Sequence, residues 1–402
     1  MKRTLLASVL ALSWAGASAQ SGEPIRIGSS FEMSGSNASL GQMSHRGAEY
    51  ATEVLNKRGG VLGRQVLLDA QDNGTNPQRA VSQSLQIVRN GGVLLVAPNS
   101  TGAALAVSSA VSAKQKVPMC VGAAAGDDLT MKQFQPYVFS TAPSQYMMYR
   151  AVAGYAAKQK FKRVGVIAVD TVGGHMGIDA FKEFNKELNP QSQLVVEEYV
   201  KAGSQDFTAA LNKILAAKPD FVFSIIYGSD IITVSKQGKA IDFFKQIDNQ
   251  FAMMYDTNTL KLLGDEAVLG TIGYARAPFN YLPRSPEGRE FIDRFKARYN
   301  QYPSDDATMT YDCIMAWAAA VEKAKSTDAD AVMNQIKTQE FSTTRGKFRF
   351  GKLDHMGEAP ITLGPVVMSK EYDQPVMDIQ EVVPGSVARP SDEVVLQSRK
   401  GK

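Results

Sequence analysis

Short apolar runs alternate with amphipathic segments through most of the chain. In the first half the strand-like segments lie at residues 25–27, 66–68 and 93–97, of which the last is a continuous apolar run, and the segments between them repeat apolar residues at three- and four-residue spacing. Continuous apolar runs suit parallel strands that are covered on both faces, and the spacing predicts helices between them. The pair Asn76-Pro77 supplies an N-cap and first turn for one of these helices.

The same rhythm restarts after Tyr137, with apolar runs at residues 164–169, 194–196 and 221–226. Two rounds of βαβ repetition predict an α/β fold with two doubly wound, Rossmann-like lobes. A chain of 402 residues is long enough for two domains, each with its own core. From about Val382 the sequence is polar, with two prolines and a basic end, so we expect residues 381–402 to form an irregular tail.

The N-terminus has the features of an export signal. Met1-Lys2-Arg3 is positively charged, an apolar run follows at residues 5–12, and Ala17-Ser18-Ala19 has the small-x-small pattern of a cleavage site. The apolar run is much shorter than the ~20 residues that a membrane-spanning helix needs. We therefore predict a signal peptide over residues 1–19 and an exported protein.

Charge and cysteine content narrow the function further. The chain has 44 Lys and Arg against 40 Asp and Glu, a net charge of +4, with no dense basic run before its last residues, which excludes a nucleic-acid binder. Cys120 lies in an apolar run and Cys313 in a helical pattern. Although export permits disulfides, we favour two free, buried thiols over a bridge, and their distance in space cannot be derived from sequence.

Signatures of common enzymes are missing. No dinucleotide-binding G-x-G-x-x-G follows a strand, and neither a phosphate-binding P-loop nor a G-x-S-x-G nucleophile elbow occurs. The spacing of His45, His175 and His355 does not favour a metal site. We therefore predict a binding protein with no enzymatic activity, no cofactor and no metal.

Open α/β sheets bind ligands beyond the carboxyl ends of their strands. In the first half, three such corners are small and polar, at residues 34–41, 98–102 and 122–126. At the second corner, the hydroxyls of Ser100 and Thr101 would cap the next helix and leave free N–H groups that favour a carboxylate. A plain N-cap without a ligand is the alternative.

The matching corners of the second half lie at residues 170–175, 227–230 and 255–258. Tyr227 and Tyr255 offer aromatic walls with a polar tip, and Asp256 is an acceptor for an ammonium group. The alternatives are that the tyrosines pack across the cleft between the lobes and that Asp256 only caps a helix.

The opening of the chain resembles the leucine/isoleucine/valine-binding family, the periplasmic solute-binding proteins of ABC importers. The resemblance is carried by Met33-Ser34-Gly35, Gly41, Arg46-Gly47-Ala48-Glu49 and the run from Asn56 through Gly59-Gly60-Val61-Leu62-Gly63 to Arg64. It implies two lobes joined by three crossovers, with residues 24–141 and 274–351 in lobe one and 142–273 and 352–380 in lobe two. It also implies a periplasmic protein that traps a small molecule and passes it to a membrane permease, and we expect a monomer.

The resemblance implies a ligand site as well, with three departures from the family. Ala125 replaces a threonine, Leu40 replaces an aromatic residue, and Gly174 replaces a tyrosine next to His175, so the pocket is wider. We therefore predict a small polar solute, either an amino acid or a related carboxylate or amide that can be aromatic. The predicted ligand-binding residues are Leu40, Ser100, Thr101, Ala123, Ala125, His175, Tyr227, Tyr255 and Asp256.

Two other functions use the same fold. An exported sensor domain would report the ligand to a partner protein, and a two-lobed hydrolase would need a serine or an acid within hydrogen-bond reach of His175.

Overall fold

The computed structural model describes residues 22–35 and 37–400, which form two lobes, each built on a parallel β-sheet. The predicted signal peptide lies outside the described residues. No helix in the described part of the chain is long and apolar enough to span a membrane.

Lobe one contains five parallel strands in the order β2-β1-β3-β4-β5. The strands are β1 (Ile25–Phe31), β2 (Val66–Asp72), β3 (Gly92–Val96), β4 (Met119–Val121) and β5 (Val138–Ser140). The helices between them are α1 (Ala38–Lys57), α2 (Pro77–Arg89), α3 (Thr101–Val107), which continues through a π-turn, and α4 (Ala113–Gln115). Asn76 caps α2 as predicted, because its side chain accepts from the Arg79 N–H.

Lobe two repeats this order, with parallel strands β7-β6-β8-β9-β10. Its strands are β6 (Arg163–Asp170), β7 (Gln193–Lys201), β8 (Phe221–Ile225), β9 (Phe251–Met254) and β10 (Ile272–Ala275). Its helices are α5 (Gln145–Lys158), α6 (Val172–Leu188), α7 (Thr208–Ala217), α8 (Ser229–Ala240), α9 (Phe243–Gln246) and α10 (Thr257–Leu263). The shared strand order confirms two doubly wound lobes of one architecture.

The chain then returns to lobe one before it ends in lobe two. The returning elements are α11 (Pro286–Tyr299), α12 (Asp305–Ala324), α13 (Ala329–Thr338) and the hairpin of β11 (Glu340–Thr343) and β12 (Gly346–Arg349). Helix α12 packs tightly on α1 at Gly47, where an added Cβ would lie 2.3 Å from the carbonyl oxygen of Ala307. After the hairpin, β13 (Ile361–Ser369) adds antiparallel to β10, followed by β14 (Gln374–Met377).

The chain therefore crosses between the lobes three times, after β5, after β10 and after β12. Separate apolar cores lie on either side: Trp317, Phe291 and Phe295 belong to the core of lobe one, and Phe181, Phe221 and Phe223 to that of lobe two. The exact lobe boundaries stay predictions.

Cys120 and Cys313 form a disulfide, so the prediction of two free thiols was wrong. The bond joins β4 to α12 within lobe one across 193 residues of sequence, with the Cα atoms 5.9 Å apart. The pairing depends on α12 returning to the first sheet, and no local pattern reveals that return.

The expectation of an irregular C-terminal tail was also wrong. Residues from 381 onward form β15 (Glu381–Val383), which pairs with β13, and the helices α14 (Gly385–Ala388) and α15 (Asp392–Arg399). The last helix reaches lobe one: the Arg399 guanidinium stacks on Phe134, 4.1 Å from its ring centroid, and donates to the carbonyls of Thr130 and Met131. These contacts, together with the buried side chains of Ala388 and Val395, hold the segment against the rest of the protein.

His355, in the third crossover, should make stability depend on pH. Its ring is buried, bonds the Val138 carbonyl oxygen at 2.9 Å and packs on Phe134, and burial lowers its pKa to about 4. As the pH falls, the unfolded chain takes up a proton on this residue before the folded protein does. The contribution of His355 to stability is therefore fully present above pH 6.5 and is lost as the pH falls towards 4. The loss attributable to this residue is about 3 kcal/mol.

Urea unfolding of the wild type and a His355→Gln variant across this pH range measures the effect. The free energies of unfolding of the two proteins, plotted against pH, should converge at low pH. The wild type loses stability when His355 is protonated, whereas glutamine takes up no proton. Parallel curves would contradict the assignment.

Candidate functional site

A cavity of about 70 Å³ lies between the two lobes. Lobe one lines it with Leu40, Asn99, Ala123, Asp305 and Asp306; Met254 and Asp256 of lobe two and Arg276, just after β10, complete it. A larger hollow of about 540 Å³ lies on the flank of lobe two, around Lys239, Phe244 and Leu269, but residues of lobe one do not line it. The cavity between the lobes is therefore the candidate site.

The topology explains why these residues meet. Asn99, Ala123, Met254 and Arg276 all lie at or just beyond the carboxyl ends of parallel strands, where doubly wound sheets bind ligands. The two sheets present these ends to each other across the cavity. The predicted position of the site at the strand ends agrees with this arrangement.

Ser100 caps α3 as predicted, whereas the Thr101 hydroxyl does not, and the corner also holds a carboxylate of the protein. Ser100 accepts from the Ala103 N–H, and the Thr101 hydroxyl accepts from the Gly126 N–H at 3.2 Å. The N–H groups of Asn99 and Ser100 donate to the two carboxylate oxygens of Glu32, at 2.8 and 3.1 Å. Glu32 is fully buried, so it occupies part of the anion site that we expected to be free for a ligand.

The two alanine positions have different surroundings. Ala123 lines the cavity, and its carbonyl oxygen accepts from the Arg276 guanidinium at 2.6 Å. Ala125 instead packs against the core of lobe two, and its carbonyl accepts from the Gln145 N–H at the start of α5. Leu40 also lines the cavity, but from the first turn of α1 and not from a loop as predicted.

Asp256 and Tyr255 are adjacent in sequence but face different ways. Asp256 lines the cavity and caps α10, accepting from the N–H groups of Asn258 and Thr259 at 2.8 and 2.9 Å. Tyr255 is 1% exposed in the core of lobe two, with its hydroxyl 3.3 Å from that of Thr271. Burial raises the pKa of Tyr255 to about 12. Its ring does not line the cavity.

Tyr227 and His175 also lie outside the cavity lining. Tyr227 is 45% exposed, and its hydroxyl lies 3.4 Å from that of Thr171. His175 stacks on Tyr199 with ring centroids 3.8 Å apart, and its Nε2 lies 2.8 Å from Asp170 Oδ1. An acid therefore lies within reach of His175, but among the described residues no hydroxyl or thiol bonds to it as a nucleophile would.

Sequence reasoning missed Arg276 and the two acids that begin α12. The guanidinium is mostly buried, with Nη2 3.2 Å from Asp306 Oδ1. Asp305 Oδ2 accepts from the N–H groups of Arg276 and Ala277, at 3.0 and 2.8 Å. Arg276 follows β10, so the strand-end rule could have found it, whereas Asp305 and Asp306 resemble ordinary first-turn acids.

Burial controls the protonation of these two acids. It raises the pKa of Asp305 to about 6 and that of Asp306 to about 7, with Asp256 across the cavity adding to both shifts and Arg276 opposing them. Among the described residues, no group of three or more histidine, cysteine or acidic side chains is arranged to hold a metal ion. The site thus offers buried acids, one guanidinium and a small apolar wall.

Comparison with known proteins identifies the fold. The family described as periplasmic binding protein matches residues 24–371. The Leu/Ile/Val-binding protein BraC3 of Rhizobium johnstonii is 29% identical over 82% of this chain and 88% of its own length.

Two solved structures show the same architecture at lower identity. The Leucine-, isoleucine-, valine-, threonine-, and alanine-binding protein of Brucella ovis, in a closed conformation, has a TM-score of 0.82 at 18% identity, covering 92% of this chain and 97% of that one. The solute-binding protein of an ABC transporter from Rhodopseudomonas palustris BisB5, in complex with 3,4-dihydroxybenzoic acid, has a TM-score of 0.78 at 22% identity. The match covers 90% of this chain and 98% of that one. They confirm the predicted fold, and the family match over most of the chain confirms the resemblance found in the sequence. The chain therefore belongs to the periplasmic binding protein family.

Proposed function

We propose that this protein captures a small polar solute between its lobes in the periplasm and delivers it, as a monomer, to the permease of an ABC importer. The observation that carries the proposal is the cavity itself, because its walls come from both lobes and from the strand ends of both sheets. Membership of the periplasmic binding protein family supports it. An amino acid or a related carboxylate or amide is the starting solute class, since relatives are named for leucine, isoleucine and valine and one structural neighbour holds an aromatic acid.

Hinge closure supplies the mechanism. A solute that touches Ala123 and Leu40 on one side and Met254 and Asp256 on the other stabilises the closed arrangement by its differential affinity for it. The three crossovers are the segments that would bend. The permease would then recognise the closed form, and no bond of the solute is made or broken.

Filling the cavity should abolish capture. Ala123→Leu adds bulk to the wall beside Arg276, and Leu40→Trp narrows the cavity from the surface side, so each variant should lose ligand binding. A ligand at 100 times its Kd stabilises the wild type by about 2.7 kcal/mol, which thermal melts detect. Melts with a panel of amino acids, amines, amides and aromatic acids measure the result.

The matched control is Ala216→Leu, the same substitution at an exposed position of α7. It should bind like the wild type. If no compound of the panel shifts the wild-type melt, or if the cavity variants bind normally, the proposed function is wrong.

A further inference from the structure

The charges that line the cavity between the lobes do not favour an anion. Asp256, Asp305 and Asp306 contribute carboxyl groups, and Arg276 is the cation among the lining residues. The Arg276 guanidinium already donates to Asp306 and to the Ala123 carbonyl. A carboxylate entering here would meet several like charges and a guanidinium that is already bonded.

The amide groups that would hold a ligand carboxylate are also occupied. Both carboxylate oxygens of buried Glu32 accept from the N–H groups of Asn99 and Ser100. Removing Glu32 from this place would strand a buried charge, which is costly. The protein therefore fills this anion site with its own side chain.

Two acceptors at the cavity lack a donor. Asp305 is 3% exposed, and its Oδ1 has no hydrogen-bond partner among the described residues, although its Oδ2 accepts two N–H groups. The Oδ1 of Asn99 is likewise buried and unpaired, while its amide nitrogen donates to the Ser44 hydroxyl at 2.9 Å. A buried acceptor without a donor destabilises the protein, and more so when it is charged. A ligand that brings N–H donors would remove this cost.

We propose that the cavity recognises the cationic nitrogen group of a small organic amine or amidine that carries no carboxylate, with Asp305 Oδ1 and Asn99 Oδ1 as acceptors. Asp256, held in place by the N-terminus of α10, faces the same group from lobe two and adds negative charge. This inference rests on the proposed function and narrows its solute class. Contact of one cation with acids of both lobes would also draw the lobes together.

Matched compounds that differ in one group test the proposal on the wild-type protein. The first set is 3-methylbutylamine, leucine and 4-methylpentanoate; the second is phenethylamine, phenylalanine and 3-phenylpropanoate. Calorimetric titration at pH 8 should show the amine of a set binding at least 10-fold more tightly than its amino acid and its acid. If an amino acid or an acid binds best, the inference is wrong and the proposed function stands. If none of the amines binds, the inference is wrong, and the broad melt panel decides the proposed function separately.

A charge-neutral variant tests the acceptor. Asp305→Asn keeps an oxygen for the Arg276 and Ala277 N–H groups but removes the charge, so amine affinity should fall at least 10-fold. The matched control, Asp265→Asn, makes the same change at an exposed site on lobe two and should leave affinity unchanged. Equal amine affinities of the wild type and a folded Asp305→Asn variant would overturn the role of Asp305. If the variant does not fold, the comparison among the compounds still tests the proposal, because it uses the wild-type protein.

Discussion

Replacing Cys120 and Cys313 together by alanine should lower the free energy of unfolding by about 2–5 kcal/mol. The bond ties β4 to α12 across 193 residues, and the intervening chain includes all of lobe two up to β10. A cross-link over so long a loop removes much conformational freedom from the unfolded chain, which is the main source of its stabilising effect in the chain-entropy account. Both sulfur-bearing residues are fully buried, so the double variant also loses apolar contacts in the core of lobe one.

Urea unfolding without reductant measures the difference between the wild type and the double variant. Wild-type protein unfolded with dithiothreitol is the control, since its unfolded chain is free of the cross-link but its cysteines are retained. The free energy of unfolding of this reduced wild type should lie near that of the double variant. If the variant unfolds within 1 kcal/mol of the oxidised wild type, the bond does not stabilise lobe one in this way.

The pattern along the chain predicts those strands that are built on a mainly apolar run. The run at residues 93–97 becomes β3, and the runs at 164–169 and 221–226 become β6 and β8. A parallel strand covered on both faces needs such a run, so the local pattern and the final structure have one cause. The doubly wound architecture of both lobes follows from their alternation with helices.

Contacts between distant segments could not be predicted in the same way. Three contacts join segments that are far apart in the chain. They are the disulfide, the hydrogen bond from Arg276 to the Ala123 carbonyl, and the hydrogen bonds from the Asn99 and Ser100 N–H groups to Glu32. Their geometry depends on how α12 and the crossovers return to the first sheet. No spacing within one segment encodes that return.

The choice between neighbouring residues at a strand end was also beyond the sequence. Tyr255 and Asp256 follow β9 directly, and both were predicted to face the ligand. In an extended backbone, adjacent side chains point in opposite directions, so only one of the two lines the cavity. Asp256 takes that position, while Tyr255 enters the core of lobe two.

Arg345→Met should cost about 3–5 kcal/mol of stability, because it leaves a buried carboxylate without its partner. Arg345 Nε donates to Asp312 Oδ2 at 2.9 Å, and both side chains are 0% exposed. Its Nη2 donates to the Thr141 carbonyl oxygen at 2.8 Å, at the place where the chain leaves lobe one for the first time. The guanidinium thus holds together α12, the turn of the β11–β12 hairpin and the first crossover.

A double-mutant cycle separates the pair from its surroundings. Arg345→Met combined with Asp312→Leu should cost less than the sum of the single variants, since no uncompensated charge remains. The double variant should still lose some stability. It lacks the hydrogen bonds that Asp312 accepts from the Thr344 N–H and hydroxyl, at 2.9 and 3.1 Å, and the bond from Arg345 to the Thr141 carbonyl. Urea unfolding of the wild type and the three variants supplies the four free energies, and additive costs would contradict a coupled ion pair. Because neither residue lines the cavity, solute affinity in the folded variants should stay at the wild-type value.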